Sequence, residues 1–430
     1  MALTGRAVVL ALLGILPVAL LPGYLTVGVV AGLLALIAAA DLALAAPVSA
    51  LRVSRSGATS CRQGDSAEVA VSLLNTSRRP ARGVFRDAWV PSAGASPRTQ
   101  VLDLPPGERR VFTTTLRPTR RGDRLPDRFT VRSVGPLGVA ARQGHHSVAW
   151  RLRVQPPFTS RKFLPEKLAR LRTLDGLIVA RTRGQGTEFD SLREYVAGDD
   201  VRSIDWRATA RKQDVVVRTW RPERDRRVLL VLDTGRTSAG RVGDVPRLDA
   251  ALDAVLLLAA LASRAGDQVD LLALDREVRA AVEGAGRQEL LGRFVDAMAT
   301  LQPALVETDG RRMVAEVLRR SRRRSLVVLF TTLEAAPLEE GLLPVLGSLT
   351  SRHTVLLVSV GDPRVEQMAT GRGTVEAVYD AAAAERTRAE RRRVTAMLRQ
   401  RGVEVVDAPP ERFASAVADA YLAMKAAGRL

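Results

Sequence analysis

The N-terminal run of apolar residues constrains the fold more than any other feature of this sequence. From Ala7 to Ala46 the chain has forty residues with a single charged side chain, Asp41. One helix of that length would extend about 60 Å, twice the roughly 30 Å of a bilayer's hydrocarbon core. Pro22-Gly23 interrupts the run where a tight turn is needed. We therefore expect residues 1–48 to form a transmembrane helical hairpin, with spans at residues 6–21 and 25–46.

Basic residues at the two ends of this run predict its orientation. Arg6 precedes the first span, and Arg52, Arg55 and Arg62 follow the second. Because positive charge stays on the cytoplasmic side of a membrane, both ends are expected in the cytoplasm. A cleaved signal peptide is the competing interpretation, but here a second and longer apolar run follows the first instead of a polar mature chain. The sequence thus predicts a multi-pass cell (inner) membrane protein that contacts membrane lipids and has cytoplasmic soluble domains.

The rest of the chain has the composition of folded domains. Of its 430 residues, 46% are hydrophobic and 26% are charged, which excludes a disordered tail or a fibrous repeat. The net charge of +19 is unevenly placed, since residues 51–157 hold 19 basic and 7 acidic side chains. Cys61 is the one cysteine and forms no intramolecular disulfide, and the three histidines do not make a metal cluster by themselves.

Residues 51–157 predict a small antiparallel β-sandwich of the immunoglobulin-like type. Apolar and polar residues alternate at 69–73, 112–116, 129–131 and 150–154. Turn residues such as Pro105-Pro106-Gly107 separate these stretches. The arginines of the segment lack the interleaved aromatic side chains that single-stranded nucleic acid requires. We therefore expect no nucleic-acid partner, and expect these arginines on solvated strand faces near anionic lipid headgroups.

The densest mixture of charged and aromatic residues lies at 184–211, which reads GQGTEFDSLREYVAGDDVRSIDWRATAR. It lacks the third glycine of a dinucleotide-binding loop and the Gly-Lys-Ser/Thr of a P-loop, so phosphate binding is disfavoured. Its carboxylates, including Glu188 and Asp205, have arginines nearby that would hold them ionised and paired. The pattern favours an ion-pair lattice packed around Phe189, Tyr195 and Trp206.

This stretch resembles the signature of the bacterial domain-of-unknown-function 58 family. The matching positions are Gly184, Gly186, Glu188, Phe189, Arg193, Tyr195, Gly198, Asp199, Asp200, Arg202, Asp205, Trp206 and Arg211. The resemblance implies the membrane hairpin and the sandwich, then a linker with the signature at 158–225, and a von Willebrand factor type A-like domain at 226–430. Members are typically encoded beside MoxR-type AAA+ ATPases, so the resemblance also implies such an ATPase as a partner.

The C-terminal half alternates buried strands with helices. Strands are predicted at 228–233, 269–274, 326–331 and 354–360, and helices at 248–265, 288–300, 311–320, 376–400 and 413–427. Such alternation is typical of a doubly wound α/β domain, whose parallel sheet is covered on both faces and binds ligands at the carboxyl ends of its strands. The whole chain is therefore predicted to be a membrane-anchored, multidomain α/β protein.

The type A family coordinates Mg²⁺ through a loop at one of these strand ends, and the resemblance implies a degenerate form of that site here. Asp233 and Thr237 match the first loop and Thr308 matches the threonine of a later loop. Gly235 stands where a serine is expected, and Thr332 where an aspartate is expected. With these ligands weakened or missing, we expect no resident cofactor, although Mg²⁺ remains an alternative. Helix capping by Asp233 and Thr308 would explain the same residues without a metal.

These observations favour a binding protein over an enzyme, because the sequence contains no nucleophile, base or complete metal site. We expect a membrane-anchored scaffold or adaptor that binds a MoxR-type ATPase through the type A-like domain and aids maturation of envelope or protein-complex clients. Two alternatives stay open. One is an outward-facing, metal-dependent adhesion or ligand-binding protein, and the other is a cryptic hydrolase that uses Glu188 and Asp205.

Overall fold

A computed structural model of the chain describes residues 2–181, 188–197, 199–212, 214–221 and 226–430. For residues 175–181, 188–190, 212 and 219–221 it describes the backbone alone. The described chain is a mixed α/β protein that divides into two compact units, Met1–Pro157 and Phe158–Leu430.

The first unit begins with two apolar helices. The short strand β1 (Ala2–Leu3) precedes α1 (Gly5–Leu20) and α2 (Tyr24–Leu44). The two helices pack closely, since a Cβ added at Gly14 would lie 2.7 Å from Cγ1 of Val30. Within the described residues, α2 and the turn after it are long and apolar enough to cross a membrane. The 16 residues of α1 are apolar but extend only about 24 Å, less than the bilayer core.

The strands of the first unit follow the predicted alternation. They are β2 (Leu51–Gly57), β3 (Ser60–Arg62), β4 (Ala67–Asn75), β5 (Ala81–Trp89), β6 (Thr99–Leu104), β7 (Arg109–Leu116), β8 (Gly122–Arg124), β9 (Pro126–Val134), β10 (Ala140–His146) and β11 (Leu152–Gln155). They form sheets in the orders β1-β10-β9-β5-β6, β2-β4-β7 and β3-β11-β8. The sequence predicted antiparallel pairing throughout, but β11 runs parallel to β3. Side chains from β4, β5 and β9 share one core, where the rings of Phe85 and Phe129 stack 5.1 Å apart.

Asp41, the one charge in the apolar run, joins α2 to the sandwich. Its carboxylate accepts hydrogen bonds from the backbone N–H groups of Leu137, Val139 and Ala140, each at 2.7 Å. These residues form the turn between β9 and β10, and the Asp41 side chain is fully buried against them. A buried carboxylate is tolerated when hydrogen-bond donors surround it, so this charge serves the fold rather than chemistry.

The second unit, Phe158–Leu430, is built of alternating helices and strands. The helices are α3 (Leu164–Arg181), α4 (Trp206–Lys212), α5 (Arg247–Arg264), α6 (Leu290–Ala299), α7 (Gly310–Arg320), α8 (Leu343–Thr350), α9 (Pro363–Ala369), α10 (Val375–Gln400) and α11 (Pro410–Ala426). The strands are β12 (Glu188–Glu194), β13 (Val216–Arg221), β14 (Arg227–Asp233), β15 (Arg241–Val242), β16 (Val245–Pro246), β17 (Gln268–Leu274), β18 (Val278–Val282), β19 (Leu326–Phe330), β20 (Thr354–Val360) and β21 (Val403–Ala408).

A six-stranded sheet in the order β18-β17-β14-β19-β20-β21 forms the centre of this unit. Alternate side chains of β14 point to opposite faces, with Leu230 in one hydrophobic core and Leu229 in the other. Residues of α5, α6 and α11 cover the first face, and residues of α7, α8 and α10 cover the second. Both faces of the sheet are therefore buried, which explains why its strands are almost continuously apolar in the sequence.

The structure differs from the sequence prediction in several elements, and the short elements β15, β16 and α9 are among those that were not predicted. The edge strand β18 was not predicted and runs antiparallel to β17, so the sheet is mixed rather than purely parallel. The strand β21 and the helix α8 were also missed, because each is short and lies beside a longer helix. Residues 158–181 were assigned to a linker, yet α3 lies in this stretch and buries Leu171 in the core beneath α5 and α11.

Candidate functional site

The candidate site lies where β14 and β19 end, at the carboxyl edge of the six-stranded sheet. Asp233 is the last residue of β14 and is 5% exposed. Its Oδ1 accepts hydrogen bonds from the backbone N–H of Gly235 at 2.8 Å and from the hydroxyl of Thr308. Its Oδ2 accepts a hydrogen bond from the hydroxyl of Thr331 at 2.7 Å. Three separate loops therefore meet at one buried carboxyl group.

Burial controls the electrostatics of Asp233. Loss of solvent raises the pKa of its carboxyl group, and the three hydrogen bonds oppose that shift without reversing it. The negative charge of Asp275, which follows the neighbouring strand β17, adds to the rise in pKa. The site therefore favours a protonated carboxyl group at a higher pH than a solvated aspartate would.

Asp275 is also a buried aspartate at the carboxyl end of a strand, but its pKa shifts in the opposite direction to that of Asp233. Burial acts to raise its pKa, but hydrogen bonds from Arg279, from the N–H groups of Glu277 and Arg276 and from the hydroxyl of Thr234 outweigh burial, so the pKa is lowered. The Arg279 Nε lies 2.8 Å from its Oδ2, and the hydroxyl of Thr234 lies 3.0 Å from the same oxygen. Asp275 thus stays charged and fixes the loop that follows Asp233.

Gly235 is explained by close packing. A Cβ at this position would lie 2.1 Å from Oγ1 of Thr308 and 2.9 Å from the carbonyl oxygen of Val306. The serine that the type A resemblance calls for would not fit against Thr308 as it is placed. Glycine replaces the expected serine because Thr308, which hydrogen-bonds to Asp233, occupies the space that a serine side chain would need.

Next to Asp233 the surface opens into a cavity of about 260 Å³. The cavity lies between the ends of β14 and β19, where the order of the strands reverses, and open sheets with helices on both faces bind ligands at such a point. Its lining combines polar and apolar side chains, namely Arg236, Thr237, Glu307, Thr308, Met313, Thr331, Thr332, Pro337, Leu338, Glu340 and Leu342. Thr332 is buried, and its hydroxyl has no hydrogen-bond partner among the described atoms.

Two oxygen donors that the type A resemblance assigns to Mg²⁺, those of Asp233 and Thr308, are hydrogen-bonded to each other. Both oxygens of Asp233 already accept hydrogen bonds from Gly235, Thr308 and Thr331. Across the described part of the chain, no three His, Cys, Asp or Glu side chains are grouped as metal ligands. Asp233 accepts three hydrogen bonds of the roughly four that a carboxylate can accept, so a Mg²⁺ ion bound here would replace some of them.

The sequence located three of the residues at this edge and missed a fourth. Asp233, Thr237 and Thr308 all line the cavity, as the type A resemblance implied. The sequence assigned the remaining ligand position to Thr332, but Thr331 is the residue that contacts Asp233. The sequence analysis extended this strand to residue 331, whereas β19 ends at Phe330, so Thr331 is the first residue after the strand.

The signature segment lies apart from this edge in sequence and forms an antiparallel β12–β13 hairpin with α4 between its strands. Gly184, Gly186 and Gly198 lie outside the described residues, as do the side chains of Glu188 and Phe189. Trp206 is 67% exposed and Tyr195 is 37% exposed. The expected packing of charged residues around these two aromatics is therefore absent from the described hairpin.

The described charges of the signature form two separate ion pairs. Arg193 binds Asp199 through Nη1 at 2.8 Å and Nη2 at 2.6 Å. Asp205 binds Arg218 at 2.8 Å and accepts hydrogen bonds from the first N–H groups of α4. The pKa of Asp199 is lowered chiefly by Arg193, and that of Asp205 chiefly by Arg218.

Three other arginines of the predicted lattice are not paired in this way. Among described side chains, Arg202, Arg207 and Arg211 form no ion pair with a carboxylate, and Asp200 accepts the backbone N–H of Arg202. The hydrolase alternative needs Asp205 free in a cleft, whereas Asp205 is held by Arg218 and caps a helix. Arg218 was missed because Asp205 is brought to it by the bridge between Ile204 and Val217, which the sequence does not indicate.

Comparisons with known proteins agree with part of this description. The family model described as "Protein of unknown function DUF58" matches residues 191–404. Uncharacterized proteins of Mycobacterium tuberculosis and Mycobacterium bovis are 28% identical over 227 residues, which cover 49% of this chain and 71% of theirs.

Comparisons with solved structures give only weak similarities. A CARDB domain from Pyrococcus furiosus, solved with di-metal ions, is 20% identical, with 24% of this chain and 86% of that chain covered and a TM-score of 0.19. A GH20 exo-β-N-acetylglucosaminidase from Vibrio harveyi is 9% identical, with 84% and 82% covered and a TM-score of 0.18. Structural agreement this low supports no argument about fold or function.

Proposed function

We propose that this chain is a membrane-anchored scaffold that captures a MoxR-type AAA+ ATPase at the carboxyl edge of its six-stranded sheet. In this proposal the sheet belongs to a von Willebrand factor type A-like domain, and its strand order, β18-β17-β14-β19-β20-β21, supports that assignment. The captured ATPase would then act on envelope or protein-complex clients. The activity we propose is binding, not catalysis.

The cavity beside Asp233 is the observation on which the proposal depends. Its volume of about 260 Å³ is suited to one anchoring side chain of a partner rather than to a large cofactor. Leu338 and Met313 supply an apolar floor, while Arg236, Glu307 and Glu340 supply charges at the rim. An apolar pocket with a charged rim is a common arrangement at protein–protein interfaces.

The buried hydroxyl of Thr332 adds a second point in favour of an occupant. It lines the cavity, and no described atom accepts or donates a hydrogen bond to it. Buried polar groups are normally paired, and an unpaired one costs free energy that a ligand's hydrogen bond would recover. A partner residue with a polar tip would satisfy Thr332 and fill the apolar floor.

The anchor in this proposal is a helical hairpin with both ends in the cytoplasm. The apolar length of α2 and its close contact with α1 at Gly14 support it. The arginines at 6, 52, 55 and 62 support a cytoplasmic position for the soluble units, because positive charge flanking membrane helices favours that side. A reporter fused after Leu430 is expected to be active only in the cytoplasm, and a reporter active in the periplasm would reverse this topology.

The binding proposal is tested with two matched arginine variants. Arg236 is on the cavity rim, its side chain is 56% exposed, and it pairs with the exposed Glu307. Arg392 lies in the second half of α10, its side chain is 64% exposed, and it pairs with the exposed Glu385. Both arginines can therefore be truncated at similar and small cost to the fold.

The full chain, purified in detergent, is assayed for capture of a purified MoxR-type AAA+ ATPase from the same organism. Arg236→Ala is expected to weaken the affinity about tenfold, in the range of a rim or hot-spot contact. Arg392→Ala should bind as the wild type does. Equal affinity for all three proteins would contradict docking at this edge, and no capture by the wild type would contradict the partner itself.

A further inference from the structure

Four arginines without ion-pair partners in the described part of the chain lie at the end of the sandwich to which the two apolar helices are attached. Four exposed arginines, Arg6, Arg52, Arg78 and Arg109, are called the arginine collar here. Within the described residues, none of the four forms an ion pair with a carboxylate. The acidic groups nearby are already engaged, since Glu108 pairs with Arg110 at 2.9 Å and Asp103 pairs with Arg82 at 3.4 Å.

Hydrogen bonds place this end of the sandwich directly at the ends of both apolar helices. Arg142 Nε donates to the carbonyl oxygen of Leu42 at 2.9 Å, and Arg79 donates to that of Ala43. At the start of α1, the backbone N–H of Thr4 donates to the carbonyl oxygen of Val139 at 3.0 Å. Both helices therefore leave the sandwich from one end, and no flexible linker separates α2 from it.

The collar residues share that end of the strands. Arg52 and Arg109 flank Leu74 in the register of β2, β4 and β7, one residue before β4 ends. Arg78 lies in the next loop, which Asn75 holds through a hydrogen bond to the carbonyl oxygen of Arg79 at 2.8 Å. Arg6 lies in the first turn of α1 and donates to the carbonyl oxygen of Leu137.

Two exposed apolar side chains lie among these charges. Leu137, in the turn that Asp41 binds, is 51% exposed, and Leu3 is 70% exposed. Basic residues with exposed leucines beside an apolar helix are the combination that favours the headgroup region of a bilayer. Arginine also binds phosphate in a two-point geometry that phosphatidylcholine, with its own choline cation, satisfies less well than an anionic lipid.

We infer that the arginine collar binds the phosphate groups of anionic glycerophospholipids and so holds the sandwich against the membrane surface. This inference rests on the membrane anchor of the proposed function, but not on the ATPase. The ligand class is set by charge complementarity and by the position of the collar at the helix ends. The collar would hold the sandwich close to the bilayer surface, because its arginines lie at the end of the sandwich from which both helices leave.

The sandwich supplies a matched control at its other end. Strand β4 spans roughly 25 Å from Ala67 to Asn75, which is about three Debye lengths at physiological salt. Three exposed arginines lie at the far end and likewise form no ion pair among the described residues, namely Arg98, Arg117 and Arg120. The collar variant replaces Arg52, Arg78 and Arg109 with Gln, and the far-end variant replaces these three with Gln. Both variants lose the same charge.

The test uses the full chain reconstituted in phosphatidylcholine vesicles that contain a trace of spin-labelled phosphatidylglycerol or spin-labelled phosphatidylcholine. Electron paramagnetic resonance then gives the association constant of each lipid with the protein. The wild type is expected to select phosphatidylglycerol about fivefold, the gain from one arginine at an anionic surface. In about 1 M salt, where the Debye length is about 3 Å, that selection should disappear.

The collar variant keeps only Arg6 of the collar and should lose most of its selection for phosphatidylglycerol, while the far-end variant should keep the wild-type ratio. An unchanged ratio in the collar variant would overturn the inference, and so would an equal loss in both variants, which would indicate diffuse charge. If neither lipid shows a protein-bound component, the membrane anchor and the collar fail together. If lipid selection is as expected but the ATPase is not captured, only the proposed partner fails.

Discussion

The signature hairpin and the strand-end site at Asp233 differ in how strongly the sequence marks them and in how the structure uses them. The hairpin is dense in charged and aromatic residues, yet Trp206 is mostly exposed and the ion pairs of the hairpin lie at the surface. The strand-end site has few charges, yet Asp233 and Asp275 are buried and fully hydrogen-bonded. A dense motif therefore does not identify the residues on which stability depends most.

The physical cause of this difference is the solvent. Exposed ion pairs such as Arg193–Asp199 are screened and contribute little free energy. A carboxylate without solvent depends on its protein donors, so loss of either the carboxylate or a donor leaves the other unpaired. Four predictions, in order of decreasing effect, test this contrast.

The largest effect is expected for Asp275→Ala. The substitution leaves the hydroxyl of Thr234, the guanidinium of Arg279 and two backbone N–H groups without their acceptor. We expect the free energy of unfolding to fall by about 3 kcal/mol, as for a buried and hydrogen-bonded charge. Urea unfolding of the full chain in detergent measures the loss. If the free energy of unfolding falls by no more than it would for a surface ion pair, the strand-end site and the hairpin do not differ in their contribution to stability.

Gly235→Ala is expected to cost about 2 kcal/mol, because the new Cβ would overlap Oγ1 of Thr308. Thr308→Ala removes that oxygen, so the double variant should be more stable than the sum of the two single effects predicts. Additive effects would show that the close approach of Thr308 is not what requires glycine. The measurement is a double-mutant cycle of unfolding free energies.

Asp233→Asn should change the pH dependence of stability. Because burial raises the pKa of Asp233 in the folded state, the folded chain binds more protons than the unfolded chain above about pH 4. The wild type therefore loses stability as the pH rises through that window, and the asparagine variant should lose less. Melting temperatures of both proteins across the acidic range measure this, and parallel curves would contradict a raised pKa.

Asp205→Ala should have the smallest effect and the opposite dependence on pH. The pKa of Asp205 is lowered by its hydrogen bond with Arg218, so its contribution is present above the unfolded-state pKa and is lost as the pH falls. The melting temperature of the variant should be slightly below that of the wild type at neutral pH. In acid the two melting temperatures should be equal. A large loss at neutral pH would show that the signature forms the buried lattice that its composition suggests.

The sequence predicted the parts of this protein that depend on local pattern. Strand β20 has the predicted bounds, and β14 begins one residue earlier than predicted, because runs of apolar residues mark strands that are buried on both faces. The family resemblance named Asp233 and Thr308 as parts of one degenerate site, and the structure brings the two side chains into a hydrogen bond. The apolar length of α2 follows directly from composition.

Only the tertiary structure decided which polar groups meet across long sequence distances. Asp41 binds a turn nearly one hundred residues away, Asp205 pairs with Arg218 beside the Ile204–Val217 bridge, and Thr331 rather than Thr332 reaches Asp233. Hydrogen bonds need donor and acceptor within about 3 Å, and that distance is set by strand register and loop closure. Composition and periodicity therefore determined the elements and their buried faces, whereas folding determined the partner of each charge.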